Sequence, residues 1–186
     1  MAHEAVEETM KAILLVPEPR PLADAREVLG WLDAHGVRTV ALVPPQGLAD
    51  LAAFAGEEPV VVLGQGLVAG FDLGGLLRAH AAFAAVATLA LRCVGPDEPG
   101  VRVEKDHSGR VLRFARHDPA AALDLGFASC VVMRPELLER IPRRPAVDLV
   151  RDLLSGLLRE HAILGGWVIR SASEEPSTIE VAGGCA

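Results

Sequence analysis

The chain has 186 residues, of which 51% are hydrophobic and 23% charged, and it carries a formal net charge of −7. This length predicts a single domain with one sizeable core, and the hydrophobic content argues against an intrinsically disordered chain. The negative net charge, together with the lack of any block of basic residues in the sequence, argues against a nucleic-acid-binding protein.

Strands and helices alternate in the first half of the sequence. The first predicted strand has five consecutive apolar residues after Lys11, and prolines follow it as breakers. Because its apolar residues are continuous, we expect a parallel sheet that is covered on both faces. Alternation of strands and helices predicts right-handed crossovers and a doubly wound α/β sheet. The predicted strands are 11–16, 37–43 and 60–63, and the predicted helices are 21–35 and 48–54.

The second half continues this alternation and adds a hairpin. Asp72 is predicted to cap a helix at 73–84, and Asp148 a helix at 149–161. A short turn that contains Gly109 separates two strand-like runs, which predicts an antiparallel hairpin and therefore a mixed sheet. The hairpin strands are 101–105 and 110–116, further strands are predicted at 87–93, 128–133 and 167–169, and a short helix at 135–140.

The segment that follows the third strand is the first candidate ligand site. The apolar run ends at Gly64, and a glycine-punctuated loop then leads to the helix entry at Asp72. In open α/β sheets, ligands bind beyond the carboxyl ends of the strands. A carboxylate at the position of Gln65 could hold a metal ion, but an amide is a much poorer ligand for one. Gln65 is therefore a candidate hydrogen-bonding contact, with a solvated or backbone-capping amide as the alternative.

Four passages share their order and spacing with a known family. They are residues 11–15; residues 21–37; residues 71–80 with 87–91; and residues 108–114 with 134–142 and 148–154. Together they resemble the sugar-phosphate nucleotidyltransferases, or nucleotide-sugar pyrophosphorylases, over most of residues 11–170. These enzymes join a nucleoside triphosphate to a sugar 1-phosphate and release pyrophosphate. The resemblance implies a three-layer, Rossmann-like α/β fold of the nucleotidyltransferase or glycosyltransferase-A type, with a mixed, mainly parallel sheet and an antiparallel hairpin.

The sequence departs from this family where the chemistry would take place. Residues 16–21 contain three prolines and no glycine in place of the family's glycine-rich, basic phosphate loop, and proline removes N–H donors. Gln65 takes the place of a metal-binding aspartate, and Arg116-His117-Asp118 that of a glutamate-lysine-proline motif. Phe127-Ala128-Ser129 stand where the family has an asparagine-containing sugar contact, and the final metal-binding aspartate, expected after Trp167, has no clear counterpart.

These departures imply a shortened, degenerate member of the family. Nucleotidyl transfer depends on positioning and on neutralisation of charge by metal ions and cations. We therefore predict a non-catalytic binding, regulatory or scaffold protein with no catalytic residue, no metal and no cofactor. One alternative is an active enzyme of the pyrophosphorylase type, or a related small-molecule transferase, that uses a reduced site around Gln65, Arg116 and His117 for a nucleotide or sugar phosphate. The other is an α/β domain that shares only the fold with this family.

Several polar residues are interpreted as structural. His80 lies on the apolar face of its helix and is predicted to be a satisfied core or boundary residue. Asp148 and Asp152 have metal-ligand spacing, but they are interpreted as surface charge beside arginines. His117 has an ordinary strand exit as its alternative interpretation.

The domain boundaries and the location follow from the remaining sequence. We predict a polar lead at 1–10, a single domain at 11–170 and a polar tail at 171–186. The longest apolar run, 79–91, is too short to span a bilayer, and the N-terminus lacks the layout of a signal peptide. Three widely spaced cysteines suit a reducing cytoplasm and form no metal signature. We expect a cytoplasmic protein whose partner is a second copy or an active nucleotidyltransferase relative.

Overall fold

One eight-stranded sheet organises the computed structural model. The described residues are 10–15, 23–44, 48, 50–51, 54, 56–64, 67, 70–116, 123–143 and 147–169. The strands are β1 (Lys11–Leu15), β2 (Thr39–Val43), β3 (Val60–Leu63), β4 (Ala87–Cys93), β5 (Val101–Lys105), β6 (Val111–Arg116), β7 (Leu125–Met133) and β8 (Leu164–Val168). The helices are α1 (Ala23–Ala34), α2 (Leu73–Phe83), a 3₁₀ helix (Pro135–Arg140) and a final helix, whose π-helical start (Val150–Leu154) continues into α3 (Ser155–Arg159).

The sheet is mixed and mainly parallel. Its order is β2-β1-β3-β7-β4-β8, and along this path β7 alone runs against its neighbours. Because β1, β2, β3, β4 and β8 point the same way, their last residues share one side of the sheet, which we call the carboxyl edge. The antiparallel hairpin of β5 and β6 joins the sheet where Arg102 pairs with Gly126. The predicted α/β fold with a mixed sheet and a hairpin is confirmed.

Helices cover both faces of this sheet, which gives the predicted three layers. On one face, Leu138 of the 3₁₀ helix and Leu157 of α3 belong to the same buried cluster as strand residues such as Ile13. On the other face, Leu32 of α1 and Leu76 of α2 belong to a second cluster. All four residues of β3 and four of the five in β1 are buried, as their continuous apolar sequences predict.

The last strand begins earlier than the sequence predicts. It was expected at 167–169, but β8 starts at Leu164 and includes Gly165. A Cβ atom on Gly165 would lie 2.4 Å from Cδ2 of Phe83 and 2.8 Å from Oγ1 of Thr88. Residue 165 must therefore be glycine for β8 to pack closely under the end of α2. In the sequence, however, a glycine pair is typical of a loop, so the strand was expected to start later.

Other boundaries differ by a few residues. β7 begins at Leu125 instead of residue 128, β2 at Thr39 instead of residue 37, and the final helix ends at Arg159 instead of residue 161. The predicted helix at 48–54 falls largely outside the described residues. Within the described part of the chain, no helix is both long and apolar enough to cross a membrane.

The cysteines differ in their environments. Cys130 is free and fully buried in β7, and burial raises the pKa of its thiol far above the usual range. Cys93 is exposed at the end of β4.

Candidate functional site

Two of the three sequence-predicted contacts, Gln65 and His117, lie outside the described residues. The structure does place the residues that precede them. Gly64 follows β3 at the carboxyl edge, and Arg116 ends β6, where its backbone pairs with Val101. Both segments contact β7. The Gly64 N–H hydrogen-bonds to Ser129, and Arg102 of the hairpin pairs with Gly126.

The end of β3 is joined to an irregular part of β7. The Gly64 N–H donates a 2.7 Å hydrogen bond to the carbonyl of Ser129. Ser129 has a φ of +57°, in the left-handed region that favours glycine. The pairing of β7 with β4 shifts register next to this residue, between Leu89 and Leu91. Bulges of this kind are common beside functional sites because they redirect a side chain.

The N-terminus of α2 adjoins the same edge of the sheet. Asp72 accepts a 2.9 Å hydrogen bond from the Gly75 N–H and a 3.0 Å bond from the Arg78 guanidinium, so its predicted role as a helix cap is confirmed. A Cβ on Gly75 would lie 2.7 Å from the Trp167 ring, so the ring packs directly against the first turn of the helix. This contact ties α2 to β8.

A buried guanidinium organises the loop that follows β4. Arg102, which is 3% exposed, donates hydrogen bonds to five backbone carbonyls. Four belong to the loop after β4 and one to Leu123, just before β7. The hydrogen bond from Arg92 lowers the pKa of Glu98 in the same loop. Sequence reasoning did not identify Arg102, because an arginine that alternates with valines in a strand is typical of a solvent-facing position.

The other polar residues that were interpreted as structural keep that role. His80 is buried and lies 2.9 Å from Thr88 Oγ1 through its Nδ1 atom; burial, and then the charge of Arg134, lowers its pKa. Asp148 accepts hydrogen bonds from the N–H groups of the final helix. The interpretation of Asp152 as surface charge is wrong: its side chain is 4% exposed, pairs with Arg151 and accepts a 2.8 Å hydrogen bond from the Asp148 N–H, so it helps to hold the start of the helix.

The described donors at the strand ends do not fit a divalent metal ion. Gly64 carries no side-chain ligand, Ser129 offers a hydroxyl, and Ile169 after β8 is a buried alkyl chain. Magnesium and calcium require several oxygen ligands with carboxylates among them. Within the described ranges, no group of three or more His, Cys, Asp or Glu side chains could hold a metal.

Comparisons with known proteins agree with this architecture. No protein-family model matches the chain. The sequence is 28% identical over 114 residues to the mannose-1-phosphate guanylyltransferase of Mycobacterium tuberculosis (strain ATCC 25618 / H37Rv), a match that covers 61% of this chain and 32% of that protein. The chain thus spans about a third of the length of this curated relative.

A solved structure, the UTP-bound UGPase from Acinetobacter baumannii, is similar in fold. Its TM-score is 0.56 at 14% sequence identity, and the match covers 87% of this chain and 70% of that one. The resemblance to nucleotide-sugar pyrophosphorylases is confirmed over part of their length.

Proposed function

We propose that this chain is a catalytically degenerate nucleotidyltransferase-like protein that serves as a non-catalytic binding, regulatory or scaffold subunit. One observation at the end of β3 carries the proposal. Gly64 donates a hydrogen bond to Ser129 of β7, while the next residue is Gln65 instead of a carboxylate. The ordered exit of β3 supports a retained frame, and the missing carboxylate supports the loss of the charge that transfer would need.

The chemistry of transfer explains why this substitution matters. A sugar phosphate must attack the α-phosphate of a triphosphate, so two anions approach each other. Metal ions and cationic side chains normally neutralise this charge. An amide is neutral, and the proline-rich residues 16–21 have fewer N–H donors than a glycine-rich loop. These features support loss of transfer with retention of the fold.

The partner in this proposal is a second copy of the chain or an active nucleotidyltransferase, and the compartment is the cytoplasm. Light scattering of the purified protein, alone and mixed with an active relative, measures the association. A chain that stays monomeric in both samples contradicts the scaffold role and leaves ligand binding as its function.

Pyrophosphate release is the direct test of catalytic loss. The purified protein is incubated with Mg²⁺, each nucleoside triphosphate and a panel of sugar 1-phosphates, with an active mannose-1-phosphate guanylyltransferase as the positive control. We expect no release above the protein-free background. Gln65→Asp is the matched variant, and it is also expected to stay inactive because residues 16–21 are unchanged. Release by the wild-type protein would contradict the proposal.

The second candidate function is an enzyme or ligand-binding protein with a reduced site on the same scaffold. The irregular backbone at Ser129, beside the exit of β3, favours it. Binding of a nucleotide or sugar phosphate would raise the melting temperature through linkage. A shift that disappears in Gln65→Ala would support this candidate, and the absence of a shift with every ligand would count against it.

A further inference from the structure

A surface cavity of about 200 Å³ opens where β8 begins. Its apolar walls are the ring of Phe83, at the end of α2, and the side chains of Ile163 and Leu164. Ile163 is 43% exposed, whereas Leu164 is fully buried. Because β4 and β8 are parallel and end at the carboxyl edge, their first residues lie on the opposite side of the sheet, which we call the amino edge. The cavity therefore lies at the amino edge.

Two glycines make room for the aromatic wall of this cavity. A Cβ on Gly165 would lie 2.4 Å from Cδ2 of Phe83, and a Cβ on Gly109 would lie 2.7 Å from Cζ of the same ring. Gly109 also has a φ of +89°, which glycine adopts without strain. The Phe83 ring is therefore in close contact with both the hairpin turn and β8, and these contacts fix its position.

The hairpin turn, which forms the polar rim of the cavity, is also constrained. The Asp106 carboxylate accepts 2.9 Å hydrogen bonds from the Ser108 and Arg110 N–H groups and a 2.6 Å bond from the Ser108 hydroxyl. The bond from the Ser108 hydroxyl, and then that from the Arg110 N–H, lower the pKa of Asp106. The Gly166 N–H donates a 2.8 Å bond to the Gly109 carbonyl and so joins the turn to β8. Ser108 and Arg110 are thus held beside the cavity that they line.

The Arg110 guanidinium provides a positive charge at this rim. Arg110 is exposed, and its guanidinium has no carboxylate or hydrogen-bond partner among the described residues. Arg113, three residues later in the same hairpin, pairs with Glu104 instead. The Ser108 hydroxyl already donates its proton to Asp106, so Arg110 supplies the side-chain donors for a ligand.

The chemistry of the cavity suits an amphipathic monoanion. An apolar cavity of about 150 Å³ is enough to hold benzene, so this cavity admits one aromatic ring or branched alkyl group. A guanidinium binds a carboxylate through two parallel N–H···O bonds. A phosphate dianion suits the cavity less well, because its two charges would face one arginine close to the ionised Asp106.

We propose that this cavity binds a small carboxylic acid that carries one aromatic or branched aliphatic group. The carboxylate pairs with Arg110, and the apolar group packs against Phe83 and Ile163. Because the cavity lies at the amino edge, its ligand does not compete with a ligand bound beyond the end of β3. The proposal goes beyond the function proposed above and does not depend on it.

NMR titration of the ¹⁵N-labelled whole chain tests this site with three probes. Phenylacetate has both the ring and the carboxylate, phenylacetamide has the ring without the charge, and acetate has the charge without the ring. We expect phenylacetate to shift the amide signals of Gly109, Gly165 and Gly166, with saturation in the millimolar range. Each of the other two probes should bind at least about fivefold more weakly, because each lacks one of the two contacts.

Substitutions of Arg110 test the charged contact. Arg110→Met removes the charge but keeps a long side chain, and it should weaken phenylacetate binding by about five- to tenfold, between the values for an exposed and a buried charged contact. Arg110→Lys should recover part of this loss, because an ammonium keeps the charge but lacks the planar fork. Arg113→Met is the matched control in the same hairpin and should leave the affinity unchanged. Thermal melts establish that all three variants fold.

The assignment is overturned if phenylacetate shifts none of these amide signals, or if acetate or phenylacetamide binds as tightly. Equal affinities of Arg110→Met and Arg113→Met for phenylacetate would also overturn it. A short peptide that ends in phenylalanine is titrated as well, and tighter binding of this peptide than of phenylacetate would assign the cavity to a protein C-terminus instead. Catalytic loss is tested separately by pyrophosphate release, so the two proposals can fail independently.

Discussion

Replacement of Arg102 by methionine is expected to destabilise the protein strongly while leaving it folded. The guanidinium is 3% exposed and serves five backbone carbonyls, at donor–acceptor distances from 2.6 to 3.4 Å. Leaving a buried acceptor without its donor costs about 1–3 kcal/mol, and a hydrogen bond to a charged group contributes about 1.5–3 kcal/mol. Because the loop after β4 is largely exposed, some of these carbonyls can hydrogen-bond to water in the variant. We therefore expect the free energy of unfolding to fall by about 3 kcal/mol. Domains have about 5–15 kcal/mol of stability, so the variant remains native without denaturant.

Urea unfolding monitored by circular dichroism measures this loss. With a slope of about 2 kcal/mol/M, the midpoint should fall by about 1.5 M. Arg102→Lys keeps the charge but replaces a planar fork by a single ammonium, so we expect it to recover less than half of the loss. Arg113→Met removes an exposed pair with Glu104 in the same hairpin and should cost at most about 1 kcal/mol. A midpoint for Arg102→Met close to that of Arg113→Met would refute the stabilising role of the five carbonyl bonds.

Three further predictions test local features of the fold. The pKa of His80 is lowered in the folded state, so the unfolded chain takes up the proton first and the free energy of unfolding should fall as the pH drops below 6.5. In His80→Gln, the free energy of urea unfolding should depend less on pH between pH 7 and 5, and an unchanged pH dependence would contradict this. Gly165→Ala should destabilise the protein by about 1–3 kcal/mol because the added Cβ meets Phe83. Gly30→Ala in α1, where nothing lies within 4 Å of an added Cβ, should stabilise the protein by up to about 1 kcal/mol in thermal melts, and equal effects of the two substitutions would contradict the packing argument. Asp72→Ala should cost about 1 kcal/mol in urea unfolding through loss of the helix cap, and a neutral result would show that the cap is dispensable.

The apolar pattern of the sequence was sufficient to predict the central strands. β3 was placed at its observed residues, and the hairpin was placed to within one residue, because continuous apolar runs and glycine turns are local signals. The start of β8 could not be predicted in this way. Its Gly165 is explained by the Phe83 ring of α2, a contact between residues far apart in the chain.

The elements that border the candidate site were predicted from the sequence, whereas its role as a ligand site remains a prediction. The exit of β3 was identified from the strand–loop–helix order, and Asp72 was correctly assigned as a cap. The roles of Gln65, Arg116 and His117 remain predictions. Ser129 and Arg102 carried no local signal of comparable strength: a left-handed serine and a guanidinium surrounded by carbonyls both depend on how β7 meets its neighbours.

The contacts that fix the carboxyl edge are made within the chain. Asp72 caps α2 with its own carboxylate, Trp167 packs against Gly75, and the Gly64 amide is satisfied by Ser129. Each of these contacts is made entirely by protein atoms, and none depends on a bound phosphate or metal. The described frame of this edge is therefore held by contacts within the chain, which agrees with the proposed loss of transfer and retention of a binding surface.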